Sequence, residues 1–406
     1  MTPSTKNHDP ATGGAGTPAW AAVASMTIGV FSLVTAEFLP ASLLTPIASD
    51  LSISEGAAGQ AVTTTALFGF ATSLLITAAA RGTDRRNLLM FFSALLVASN
   101  LLVAFAPGLP LLLFGRVLLG VALGGFWALS TAVTMRLVPA VLVPKALAIL
   151  MSGVSVATVL AAPVGSYLGD LLGWRDVFLL AAALGLLALA AQWLSLPSMK
   201  PTGATRLRTL LDVLVRPGIG PGMLAVLLVF GGHFVFFTYL RAYLESGSGF
   251  SIESISMILL GFGAANFLGT LLAGRLVQKK LWLTLVLAPL AMGSVAAAMV
   301  LEGANPVADV VAVVLWGLFF GGVPVAWSSW IAHTVPDETE SAGGLFVASI
   351  NIAIALGAGL GGVVFDFTGG TATIAASGTV LALAVLSIML GVRLRAPAAV
   401  AVSATL

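Results

Sequence analysis

The chain has 406 residues, 59% of them hydrophobic and 8% charged, with mean hydropathy +1.07 and a formal net charge of +2. So few charges cannot cover a soluble protein of this size, so the composition points to a polytopic membrane protein with almost no soluble domain and no nucleic-acid partner. There is no cysteine, which excludes a disulfide framework and a thiolate metal site and fits a bacterial inner membrane.

Residues 1–19 are rich in Thr, Pro, Gly and Ala and lack both a basic leader and a short apolar core with a cleavage site. They read as a disordered cytoplasmic tail, with the first helix as uncleaved insertion signal. Apolar runs then predict an all-α chain with twelve transmembrane helices near 20–47, 56–80, 88–106, 110–134, 146–169, 176–196, 221–245, 254–277, 282–302, 307–332, 342–366 and 372–392. Ser52-Ile53-Ser54-Glu55 has capping-box spacing before the second.

Charge sets the expected orientation. With a cytoplasmic N-terminus, all but three of the 18 Lys and Arg fall in inner segments, as positive-inside topology requires, which puts both termini in the cytoplasm. The exceptions are Arg175 in an outer loop, and Arg116 and Arg241 within helices. The longest break, 197–220, is a basic cytoplasmic linker that touches anionic lipid. It divides a six-helix bundle at 20–196 from another at 221–394, before a tail at 395–406. Arg81, Arg85 and Arg86 recur at nearly one spacing as Arg275, Lys279 and Lys280, and Gly165, Asp170 and Gly173 recur as Gly361, Asp366 and Gly369. This argues for a duplicated unit. Secondary transporters are often built so, with the substrate between the repeats at mid-membrane.

No phosphate-binding Gly-x-x-x-x-Gly-Lys-Ser/Thr motif, no His-Glu-x-x-His and no filter-like run occurs. Direct ATP use, membrane-embedded enzymology and a channel are therefore not expected, nor is any cofactor or metal. The ionisable residues inside helices are then the candidates for chemistry. Glu37 is the one acid in the first helix, with Pro40 and Pro46 close behind. A carboxylate at such depth costs at least about 2.5 kcal/mol on insertion scales. Glu37 lies roughly 26 Å past Trp20, and Arg116 enters from the other side roughly 10 Å deep, so both sit in the outer half. They are the expected proton-coupling residue and its electrostatic partner. The alternative for Glu37 is a polar anchor at the outer interface.

Asp84, Arg85 and Arg86 after helix two form either a conformational latch or plain positive-inside topology. Pro163 and Gly165 on helix five form either a gating hinge or static packing. Phe126, Trp127, His233, Tyr239, Trp327 and Asn351 offer rings and hydrogen-bonding groups suited to a neutral, planar, hydroxylated solute. A neutral histidine bonded to a neighbouring helix is the other reading of His233. By residues alone the chain reads as a proton-coupled secondary transporter.

These stretches resemble the major facilitator superfamily, in its drug:proton antiporter-1 group, over essentially the full length. Asp84-Arg85-Arg86 resembles a shortened loop 2–3 motif, with Ala80 where glycine is usual. Arg116 with Gly120 matches the helix-four motif, and Pro163-Val164-Gly165 matches the antiporter motif with Ala162 in place of its glycine. Glu37-Phe38-Leu39-Pro40, Gly124-Gly125-Phe126-Trp127 and Phe236-Phe237-Thr238-Tyr239 resemble the purine ribonucleoside efflux branch. The resemblance implies a monomeric alternating-access exporter of inosine or guanosine in exchange for protons. Sugar or multidrug antiport on the same fold is the alternative, and a non-transporting membrane receptor a more distant one.

Overall fold

The computed structural model describes residues 18–79, 82–200, 212–303, 305–335 and 339–392. Residues 1–17 of the predicted N-terminal tail, the predicted C-terminal tail, Ala80, Arg81, and Arg206 and Arg208 of the linker lie outside them. The described chain is helical throughout, apart from its connections. The helices are α1 (Trp20–Ser42), α2 (Leu44–Leu51), α3 (Glu55–Ala79), α4 (Arg85–Ala104), α5 (Leu109–Arg136), α6 (Val143–Leu172), α7 (Trp174–Ser195), α8 (Ile219–Ser246), α9 (Ile252–Glu302), α10 (Pro306–Thr334), α11 (Thr339–Thr368) and α12 (Gly370–Gly391).

Eleven of these are long and apolar enough to cross a membrane, all except α2. α9 counts once but crosses twice. Its 51 residues would span about 76 Å if straight, more than twice the roughly 30 Å hydrocarbon core. The helix breaks at Lys280, whose backbone is not helical (φ −147°, ψ 60°). Two crossings, 252–279 and 281–302, meet there at a basic corner formed with Lys279. Twelve crossings result, as the apolar runs predict.

The predicted first helix, 20–47, is two helices. Leu43 caps α1 with its N–H on the Leu39 carbonyl, and α2 begins at Leu44. Proline explains the break. It has no N–H to give to the carbonyl four residues earlier, and it disfavours helical backbone in the residue before it. Pro46 thus leaves the Ser42 carbonyl without its helical donor, and Pro40 does the same to Ala36. The capping also differs from expectation. Ser54, not Ser52, accepts from the Ala57 amide at 3.0 Å at the start of α3, while Ser52 closes α2 in a left-handed conformation.

The crossings form two six-helix lobes, α1 with α3–α7 and α8–α12, which meet chiefly through α3 against α11 and α6 against α9. Each lobe is held by close backbone approach, because oil on both sides leaves helix packing to dispersion and small residues. Gly269 and Gly321 let α9 and α10 touch main chain to main chain, and Thr270 donates to the Gly321 carbonyl at 2.9 Å. A side chain at Gly321 would run into the Asn266 carbonyl.

The ends of the lobes differ in charge. One, the basic end, carries Arg85, Arg86, Arg136, Arg275 and Lys279. The far end carries Asp50, Arg175 and Asp366. We predict that Gly321→Val lowers stability by at least about 1–3 kcal/mol, the usual range for overpacking. A melting temperature in detergent reduced by several degrees is the expected result, and an unchanged one would show that α9 and α10 do not meet at this glycine.

Candidate functional site

The site is built around the two carbonyls that proline frees on α1. Arg116 of α5 is fully buried. Its Nη1 donates to the Ala36 carbonyl at 3.0 Å, the acceptor that Pro40 leaves unused. Its Nε donates to the Ala61 carbonyl on α3 at 3.3 Å, and Nη2 has no hydrogen-bond partner. Arg116 therefore ties three helices together beside Glu37 and interacts with that carboxylate through space. Glu37 itself is partly exposed and makes neither a hydrogen bond nor an ion pair with a described residue. It faces a small cavity between the lobes, shared with Thr65 of α3, Phe234, Phe237 and Thr238 of α8, and Ile354 of α11. The carboxyl thus points at the lobe interface, not at lipid.

The second freed carbonyl is claimed from the opposite lobe. Arg241 of α8, 3% exposed, donates through Nη1 to the Ser42 carbonyl and to Ser166 Oγ of α6. Glu245, one turn on, holds its Nε at 2.9 Å. Beside it Tyr239 fills a gap between Gly59 of α3 and Gly362 of α11. Its hydroxyl donates to the Ala358 carbonyl at 2.7 Å, and its ring stacks on Phe365. Asp366, in the last turn of α11, caps α3 across the interface. It accepts from Ser54 Oγ at 2.6 Å and from the Gly56 amide at 2.9 Å. Between the lobes, Arg241 and Asp366 make side-chain hydrogen bonds, and these seal the far end.

Gly165 and Gly169 lay α6 on Leu39, Ser42 and Leu43 of α1, next to this seal. Pro163, inside α6, frees the Val159 carbonyl, and Gly263 of α9 packs directly on that residue. The Pro163–Gly165 stretch is thus interface packing in this conformation.

The six candidate solute contacts are not gathered in one place, and none lines the cavity at Glu37. Phe126 lies in the core of the first lobe, under Gly29. Trp127 is partly exposed beside that core. Trp327 is 1% exposed and meets Trp330 edge to face in the second lobe. Tyr239 belongs to the far-end seal. His233 is enclosed. Its ring stacks on Phe320 with centroids 3.4 Å apart, and its Nδ1 accepts from Trp316 Nε1 of the neighbouring α10 at 3.1 Å. Asn351 donates to the Val347 carbonyl at 3.0 Å and keeps an unpartnered Oδ1 near Gly69 of α3.

Sequence reading missed several groups here. The repeat marks Asp366 in the sequence but not its role as an interlobe cap. Asp309, fully buried in the first turn of α10, accepts from Tyr243 at 3.2 Å and from Ser248, and no motif marks it.

Asp84 works within the first lobe. It caps α4 by accepting from the Arg86 amide at 2.8 Å, and it binds the segment after α7 through Ser198 and the Met199 amide. Arg86 donates to the Trp193 carbonyl at 2.7 Å and Arg136 to the Lys200 carbonyl at 2.9 Å. Partial burial opposes the charge on Asp84. The hydrogen bonds from Ser198, Met199 and Arg86 and the Arg86 charge outweigh it and hold the carboxyl below the usual carboxylate range.

Two packed six-helix lobes, sealed at one end and with the Glu37 carboxyl facing the interface between them, are the build of a multi-pass membrane transporter. The Major Facilitator Superfamily model matches residues 26–347, and the chain belongs to that family. It is 44% identical to the purine ribonucleoside efflux pump NepI of Shigella sonnei over 378 residues, covering 93% of this chain and 96% of that one. Identity to NepI of Escherichia coli K12 is 43% over equal shares. It is also 44% identical to the transcription regulatory protein OpdE of Pseudomonas aeruginosa over 398 residues, covering 97% and 98%. In fold it is similar to the xylose transporter XylE of E. coli in a partially occluded inward-open conformation. The TM-score is 0.73 at 16% identity, with 93% and 98% of the chains covered.

Two outcomes test this geometry. Removing the Arg241 side chain (Arg241→Ala) is expected to open the far end, read as at least a several-fold faster reaction of a cysteine placed at Ser166 with a membrane-impermeant reagent. Unchanged reactivity would separate Arg241 from the seal. The depressed Asp84 carboxyl contributes stability above its unfolded value of about 3.9 and loses that contribution as pH falls through its lower folded value. Protection of the Met199 amide from exchange should therefore persist from pH 7 to about 4 and fade below. Asp84→Ala should lack it throughout, and wild-type protection in that variant would contradict the assignment.

Proposed function

We propose that this protein exports purine ribonucleosides, inosine and guanosine among them, in exchange for protons. The single observation that carries the proton half is the position of Glu37. It is an acid inside a membrane span, facing the interface of the two lobes, with a buried arginine beside it. In-membrane carboxylates that face a bundle interior mark proton or ion pathways as a rule. The substrate half rests on similarity to proteins named purine ribonucleoside efflux pumps over more than nine-tenths of the chain. The positive-inside rule supports a cytoplasmic basic end in a bacterial inner membrane, and on that reading the far-end seal closes the protein to the outside.

In this reading, the far-end contacts of Arg241, Tyr239 and Asp366 must break for the lobes to rock outward. Glu37 takes a proton from the outer side and the neutral carboxyl is free to leave water. Closure of the seal returns it to the inner side, where the proton departs and a nucleoside loads. Substrate and proton alternate, so that neither leaks down its gradient unaccompanied. Arg116 keeps the deprotonated carboxylate from standing alone in a low-dielectric setting. Trp127, partly exposed, and Asn351, whose Oδ1 lies near Gly69 of α3, remain candidates for solute contact. Phe126, His233, Tyr239 and Trp327 would act on it through the packing of their lobes. The protein works as a monomer.

The relative named as a transcription regulatory protein favours a second reading, a membrane receptor on the same fold. Reconstituted protein that moves no inosine would support it. For the first reading, Glu37→Gln in everted vesicles should lose at least about ten-fold of pH-driven inosine transport while still binding inosine. Undiminished pH-driven transport would remove Glu37 from coupling.

A further inference from the structure

The cavity at Glu37 brings together groups that neither the family resemblance nor the relatives assign. It measures about 10 Å³, close to the least volume that holds one water, which needs two to four polar partners. Most of its wall is apolar, from Phe38, Phe234, Phe237 and Ile354. Three residues with polar side chains line it, from three helices in both lobes. Glu37 of α1 has no hydrogen bond with a described residue. Thr238 of α8 is completely buried, and its hydroxyl has no partner either. Thr65 of α3 gives its hydroxyl proton to the Ala61 carbonyl at 2.9 Å, with the Arg116 carbonyl at 3.4 Å, and keeps oxygen lone pairs to accept with.

A buried hydroxyl without a partner costs about 1–3 kcal/mol, so Thr238 in an otherwise apolar wall needs a reason. We propose that this cavity is a binding site for a single water, which joins the Glu37 carboxyl to the Thr238 hydroxyl across the lobe interface. Thr238 is then the positioning residue through which the second lobe senses whether Glu37 carries a proton. The water accepts a hydrogen bond from protonated Glu37 and donates one to the carboxylate. Thr238 turns its hydroxyl to match, as a rotating donor and acceptor can. Each change of charge on one lobe thereby alters a contact made by the other. No other ionisable group lines the cavity. Arg116, from α5, is the charged neighbour of Glu37. The residues that α3, α8 and α11 present to the cavity do not ionise. His233 and Arg241, flanking Thr238 on α8, are committed to Trp316 and to Glu245 with Ser42.

This inference rests on the proton-exchange reading, and the experiment separates the two. Inosine exchange in proteoliposomes is followed against pH for wild type, Thr238→Val, Thr238→Ser and Glu37→Gln. Hydrogen bonds to a carboxylate favour its charged form. Losing the hydroxyl in Thr238→Val should therefore move the pH midpoint of exchange upward by at least about 0.5 unit, with KM for inosine within about two-fold of wild type. Thr238→Ser should restore the midpoint. A wild-type midpoint in Thr238→Val overturns the water bridge while leaving Glu37 in its role. A wild-type pH profile in Glu37→Gln overturns both. The infrared carboxyl band that disappears in Glu37→Gln gives a readout free of transport and of substrate. It should shift in Thr238→Val and return in Thr238→Ser, and a band indifferent to residue 238 contradicts the proposal even if transport by the valine variant is lost.

Discussion

Two backbone carbonyls without helical partners organise this molecule. In oil an unsatisfied carbonyl is costly, so a proline inside a membrane helix obliges some other group to supply the missing donor. On α1 both donors are arginines. Pro40 frees Ala36, and Arg116 of the same lobe fills the place, one residue from Glu37. Pro46 frees Ser42, and Arg241 of the other lobe fills it. One helix thus carries one arginine dock within its lobe, beside the acid, and a second that joins it to the other lobe.

Close backbone approach gives α6 its place. Pro163 exposes the Val159 carbonyl to Gly263 of the second lobe, and the glycines that follow lay α6 against the α1 break. Where the lobes meet, main chain therefore approaches main chain, with few long side chains to untangle. Interfaces of this kind can part and re-form as rigid bodies. The polar contacts that must break on opening, at Arg241 and at Asp366, are few and lie at one end.

Much of this could be read from the chain. The twelve crossings follow from apolar length, including the pair that runs on as one long helix through Lys280. The in-membrane positions of Glu37 and Arg116 follow from their distance to the helix ends. The prolines at 40 and 46 were visible too, and counting back four residues names the freed carbonyls. Which arginine reaches each of them is a tertiary fact, since Arg241 comes from the opposite lobe. The aromatic candidates illustrate the opposite failing. Phe126, His233 and Trp327 have the chemistry of a nucleoside site, but residue type does not say which way a membrane helix turns a ring. The packing turns these inward to their own lobes. Asp366 drew notice as part of a repeat. Its role as a cap for α3 depends on the meeting of two helix ends that nothing local announces.

The account stands or falls on obligatory exchange. Purified protein in liposomes carrying a pH-sensitive dye, given an inosine gradient and no imposed pH difference, should move protons against the direction of inosine flow. That movement should vanish with Glu37→Gln. Inosine that crosses with no proton movement in wild-type protein would contradict the account at its centre.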